Sequence, residues 1–202
     1  MVEASRHSVL VVGIGTELRG DDAAGLLAVR LLNVRGVPDG VSLLECPDGG
    51  LRLMDCWSGY DTCILIDAVS AGCLPGTILT LDLKEQRAPL PLLHSSSHHL
   101  GLAETIELGR AMDVLPDTLL LYGIEGASYR AGAELSPEVA AAVDSAVGTV
   151  REHLLHICST RGAMKPFPPR DVSNNKGPTT NKEYRDGITQ RQSAGCISGK
   201  RD

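Results

Sequence analysis

The stretch SVLVVGI, residues 8–14, is apolar at every position after its first, with no polar residue alternating through it. A strand without a polar side is covered on both faces, the situation of an interior strand in a parallel sheet packed between helices. Four more segments read as strands: VSLLEC (41–46), DTCILIDAV (61–69), GTILTLDL (76–83) and DTLLLYGIE (117–125). Helical spacing fills the intervals. Ala24, Leu27, Ala28, Leu31 and Leu32 recur at three or four residues in DDAAGLLAVRLLNV, and GGLRLMDCW reads as a short helix. HHLGLAETIELGRAM places Leu102, Ile106, Gly109 and Met112 at helical intervals. The last helix is the most strongly marked. Ser136 can cap it, Pro137 suits its first position, and Val139, Val143, Val147, Val150, Leu154 and Ile157 form one stripe. The alternation predicts an α/β fold of three layers: a mostly parallel, twisted sheet of about five strands with helices on both faces.

This pattern occupies residues 1–160, read as one domain; 161–202 are expected to be a disordered tail, rich in Pro, Gly, Asn, Thr and charge. The formal charge of −6 is uneven: the tail carries nine Lys and Arg against four Asp and Glu, which leaves −11 on the domain. An acidic body argues against nucleic acid as a partner. No apolar run reaches the roughly 18 to 20 residues that span a bilayer, and the N-terminal stretch lacks the form of a secretory signal. A cytoplasmic monomer without membrane association is expected. The six cysteines include no C-x-x-C pair, so zinc-ribbon and thioredoxin-like readings lack support; reduced, buried thiols are expected.

The segment GIGTELRGDD (13–22) almost spells a nucleotide-binding loop. A dinucleotide fingerprint needs glycine at the position of Leu18. A phosphate loop fits Gly15 and Gly20 but needs lysine and a hydroxyl where Asp21 and Asp22 stand. Two carboxylates at a helix start repel phosphate and attract a cation; equally, they can favour the helix dipole as simple caps. Asp67 ends the strand CILID, and in an open α/β sheet ligands sit beyond the carboxyl ends of strands. A parallel sheet therefore puts Asp67 and Asp21/Asp22 on one rim. In HSSSHHLGL, His94, His98 and His99 precede a helix. One imidazole beside two carboxylates suits a divalent transition metal and leaves positions open for another molecule.

In order along the chain stand GIGTELRGDD, LIDAV, SSHHLGL (96–102), YGIE (122–125) and LSPEV (135–139). Together they resemble the hydrogenase maturation proteases, endopeptidases that trim the large subunit of nickel–iron hydrogenases, over about residues 8–157. The resemblance implies that Asp22, Asp67 and His98 are the catalytic and metal-binding residues, with His99 at a variable position. It implies a substrate too: a nickel-loaded large-subunit precursor, whose C-terminal extension is removed after nickel insertion, so that nickel comes with the substrate. Thr16 stands where relatives usually carry asparagine, and Ala23 where glycine is common; neither touches a proposed ligand. Two other readings compete: a non-catalytic nickel-binding assembly factor using the same three residues, and a nucleotide-binding α/β module, disfavoured by Leu18 and the missing lysine.

Overall fold

The computed structural model describes residues 8–47, 49–85 and 101–161 of the 202. The strands are β1 (Val9–Gly15), β2 (Val41–Pro47), β3 (Thr62–Val69), β4 (Ile78–Asp82) and β5 (Thr118–Glu125). The helices are α1 (Ala24–Arg35), α2 (Arg52–Trp57), α3 (Leu102–Ala111) and α4 (Pro137–Arg161), with a 3₁₀ turn at Gly20–Ala23. All five expected strands form one sheet in the order β2-β1-β3-β5-β4. β1 pairs in parallel with β2 and β3, and β3 with β5, whereas β4 runs antiparallel to β5. The antiparallel edge has a simple cause. Only residues 70–77 join β3 to β4, without a helix, and a parallel crossover takes about a dozen residues or more.

β1 and β3 are buried along their whole lengths, as their unbroken apolar runs require. Their side chains alternate between two cores. Val9 and Val11 join Ile64 and Ile66 beneath α1 and α4, where the stripe from Val139 to Ile157 is buried throughout. Leu10 and Val12 join Cys63 and Leu65 on the other face, with Leu53 and Trp57 of α2 and Leu102 and Ile106 of α3. Cys46 and Cys63 are buried thiols, while Cys56, Cys73 and Cys158 are partly exposed thiols. Among the described residues, no helix is long and apolar enough to cross a membrane.

The helix after β1 starts later than its spacing predicts. Asp21 and Asp22 fall in the 3₁₀ turn, and neither caps α1 with its side chain. At the far end of the sheet the last turn of α3 meets Trp57 and the end of β4: Gly109 packs on the indole, and Arg110 donates to the carbonyl of Lys84 at 2.7 Å. A ten-residue helix is about 15 Å long, so α3 sets out from the carboxyl side of the sheet. His94, His98 and His99, and the tail from residue 162, lie outside the described residues.

Candidate active site

The carboxyl ends of β1, β2, β3 and β5 share one rim, and two glycines set its geometry. Gly25, in the first turn of α1, lies directly on the sheet: a Cβ there would come within 2.2 Å of the Ile66 carbonyl oxygen and 2.3 Å of that of Ile14. Any side chain would lift the start of α1 away from both strands. Gly15, at φ +141°, ends β1 where a Cβ would meet the Asp22 carbonyl oxygen at 1.8 Å. The chain thus folds back tightly after β1, and the 3₁₀ turn is pressed against the end of β3, where Asp67 stands.

The two acids of this turn have different tasks. Asp21 is fully buried, and its carboxylate accepts hydrogen bonds from the backbone N–H groups of Ala127 (2.7 Å), Ser128 (2.8 Å) and Ser136 (2.7 Å). The Ser136 hydroxyl adds a fourth at 3.1 Å. Backbone bonds from Gly20 to Ala133 and from Asp21 to Ser128 complete the join between the turn and the β5–α4 loop. Asp21 is therefore an anchor whose lone pairs are engaged by donors from more than a hundred residues away.

Asp22, 3% exposed, and Asp67, 4% exposed, are buried close enough for the charge of one to act on the other. Burial holds the Asp67 carboxyl well above the usual carboxylate range; the charge of Asp22 raises it further, and the Ala68 backbone N–H opposes the shift. The Oδ1 atom of Asp67 is buried with no hydrogen-bond partner among the described residues. A buried carboxylate oxygen left in this state costs free energy, and a cation placed between the two acids would satisfy it. Asp67 lies on the same strand face as Cys63, Leu65 and Val69, the face covered by α2 and α3.

The structure thus brings Asp22 and Asp67 together as the sequence predicts, and His98 lies outside the described residues. Among the described residues, no group of three or more His, Cys, Asp and Glu side chains is arranged to hold a metal. The donor set in view is a pair of carboxylates, one with a free oxygen, which suits a divalent ion that brings or finds further ligands.

Two neighbours were not assigned a role from sequence. Glu125 ends β5 opposite Val69, the last residue of β3, is 4% exposed, and accepts the N–H groups of Ala71 (2.7 Å) and Gly72 (3.0 Å), fixing the β3–β4 loop. An acid closing an apolar strand was its sequence signal. Tyr129 donates its hydroxyl to the Val69 carbonyl at 2.6 Å; burial raises its pKa first, then the charges of Glu125, Asp67 and Asp21. Nothing in the local sequence marked Tyr129.

The family model for hydrogenase maturation proteases of the HycI type matches residues 27–153. The chain belongs to the hydrogenase maturation protease family. The hydrogenase expression/formation protein HupD of Rhodobacter capsulatus is 32% identical over 149 residues, covering 71% of this chain and 70% of its own length. The hydrogenase 2 maturation protease of Escherichia coli is 32% identical over 145 residues, covering 70% of this chain and 87% of itself. Among solved structures, the hydrogenase maturating endopeptidase HybD of E. coli superposes with a TM-score of 0.61 at 28% identity, covering 74% of this chain and 93% of its own. As a member of the hydrogenase maturation protease family, the chain is a peptidase, and its five-stranded α/β architecture is that of the family's solved endopeptidases.

Proposed function

We propose that this peptidase removes the C-terminal extension of a nickel–iron hydrogenase large-subunit precursor after nickel insertion, and that it does so as a cytoplasmic monomer. The observation that carries the reading is the pair of buried carboxylates at the carboxyl rim, with the unpartnered oxygen of Asp67, in a chain of this family. In this account Asp22, Asp67 and His98 recognise the nickel that the precursor carries, which fixes the neighbouring peptide bond at the rim. The direction of α3 supports the third ligand, because the chain enters that helix from the carboxyl side and Leu102, its first residue, comes four positions after His98.

The residues themselves supply most of the mechanism. Asp67 resists ionisation through burial and through its neighbour Asp22. A divalent ion offsets both penalties, so engagement of the precursor is coupled to loss of the Asp67 proton. Asp21 and Glu125 hold the turn and the β3–β4 loop in place, so the two carboxylates are oriented before the substrate arrives. The ion can polarise the scissile carbonyl or activate water; alternatively an aspartate serves as general base.

The test is incubation of the purified chain with the nickel-loaded precursor of the source organism's hydrogenase, read by mass spectrometry. Loss of the C-terminal peptide is expected with nickel-loaded precursor and not with the nickel-free form; a precursor mass that never changes refutes the reading. Deleting residues 163–202 is expected to leave the rate nearly unchanged, since the family match ends at residue 153. Light scattering during size-exclusion chromatography tests the monomer.

A further inference from the structure

The three loops that leave the carboxyl ends of β1, β2 and β3 each display a leucine to solvent. Leu18 is 80% exposed, Leu51 is 53% exposed and Leu74 is 79% exposed. In the strand order β2-β1-β3 these loops are neighbours, and Asp22 and Asp67 belong to the same rim. The other large apolar side chains exposed among the described residues lie on helices or at the opposite end of the sheet.

None of the three leucines hangs from a loose segment. The Leu18 carbonyl accepts the Gly132 N–H at 2.6 Å, that of Leu51 accepts the Met54 N–H at 3.1 Å, and that of Leu74 accepts the Thr77 N–H at 3.0 Å. Thr77 adds its hydroxyl to Leu74 at 2.7 Å, and Glu17, next to Leu18, is paired with Arg30 of α1. Leu18 also has a positive φ of 60°, which a residue with a Cβ adopts at a cost. The fold gains no core packing from this side chain, yet it holds it strained and fully presented. Strain kept at an exposed position beside a site points to a use for the side chain there.

We propose that Leu18, Leu51 and Leu74 form an apolar contact surface for an extended, aliphatic stretch of the precursor polypeptide next to the scissile bond. This rests on the peptidase reading above, which requires a polypeptide to lie across this rim. The occupant is aliphatic because the exposed side chains are. It is free of acidic residues at the contact because Asp22 belongs to this rim and the domain as a whole is strongly acidic. Loops fixed in advance lose little conformational freedom on binding, so the buried leucine surface counts toward affinity.

Leu18→Gly separates this role from a structural one, since glycine is at ease at positive φ. Its melting temperature is expected to equal or exceed that of the wild type, while the Kd for immobilised nickel-loaded precursor, read by surface plasmon resonance, rises about ten-fold. Leu51→Ser and Leu74→Ser should weaken binding similarly, and Leu18→Met should recover most of the loss. In cleavage assays the same variants should lose kcat/KM through KM. Wild-type Kd values in Leu18→Gly, Leu51→Ser and Leu74→Ser overturn the proposal. If wild type binds the precursor and the variants bind it more weakly but nothing is cut, the peptidase reading falls and the contact surface stands. If wild type does not bind the precursor, both fall.

Discussion

β3 carries an aspartate near each of its ends, and the two lie in opposite surroundings. Asp61, just before the strand, accepts the Ser8 backbone N–H at 2.9 Å and joins a knot of bonds in which Ser8 also accepts from Thr62 and donates to Gly59. Beside it lies a cleft of about 420 Å³ bordered by Trp57, Tyr60 and Pro116. Asp67, at the other end, is buried against a second carboxylate and keeps an oxygen with no hydrogen bond among the described residues. One strand thus ends in a satisfied acid and a costly one. Asp61, Asp21 and Glu125 accept donors from distant segments of the chain, whereas Asp67 keeps Oδ1 without one among the described residues, and in the proposed reading that oxygen is left for a ligand.

The sharpest way to break this contrast is at Asp67 itself. Asp67→Ala and Asp22→Ala should each lower precursor processing by at least about 1000-fold, about 4 kcal/mol of barrier, while circular dichroism shows a native fold. Residual processing above a tenth of the wild-type rate in either would remove the distinction. Next in size is Asp21→Ala, which strands three buried N–H donors and should lose about 3 kcal/mol of stability, seen as a lower urea midpoint. A stability loss under half of that would show that the anchor is not Asp21.

The third test uses pH. In the folded chain Asp67 keeps its proton above the ordinary carboxylate pKa of about 3.9, whereas the unfolded chain has lost it. The native state then binds more protons than the unfolded one, so stability falls as pH rises from about 4 through the raised folded value. Asp67→Asn removes that decline. In chelator-treated protein its melting temperature should match the wild type near pH 4 and exceed it by a few degrees at pH 7; equal values at both pH values would contradict the raised pKa. The smallest effect is expected at Asp61→Ala, which should lose about 1 kcal/mol of stability with the Ser8 hydrogen bond and leave processing at the wild-type rate. Altered processing there would show that the two ends of β3 are not independent.

Most of the architecture was legible because burial on two faces writes itself as unbroken apolar runs, and burial on one face as a stripe. β1, β3 and the Val139–Ile157 series of α4 follow directly. The meeting of Asp22 and Asp67 was legible too, since a parallel sheet places strand ends on one rim. The division of labour between Asp21 and Asp22 was not. It depends on N–H groups at Ala127, Ser128 and Ser136, over a hundred residues later, whose positions no local pattern encodes. The late start of α1 has a similar origin: the turn is held by Ser128 and Ala133, and this overrides the helical spacing of DDAA. Tyr129 escaped notice because its value lies in reaching Val69 on another element.

β3 lies at the middle of the sheet, bonded to β1 on one side and β5 on the other. Its amides should therefore exchange with solvent only when the whole domain opens, and those of the turn and loops around it much sooner. Asp67 is fastened to the slowest-opening part of the molecule and does not travel to meet anything. Whatever accommodation a bulky client demands must be made by the surrounding loops, or by the client itself as it threads its end toward a fixed point.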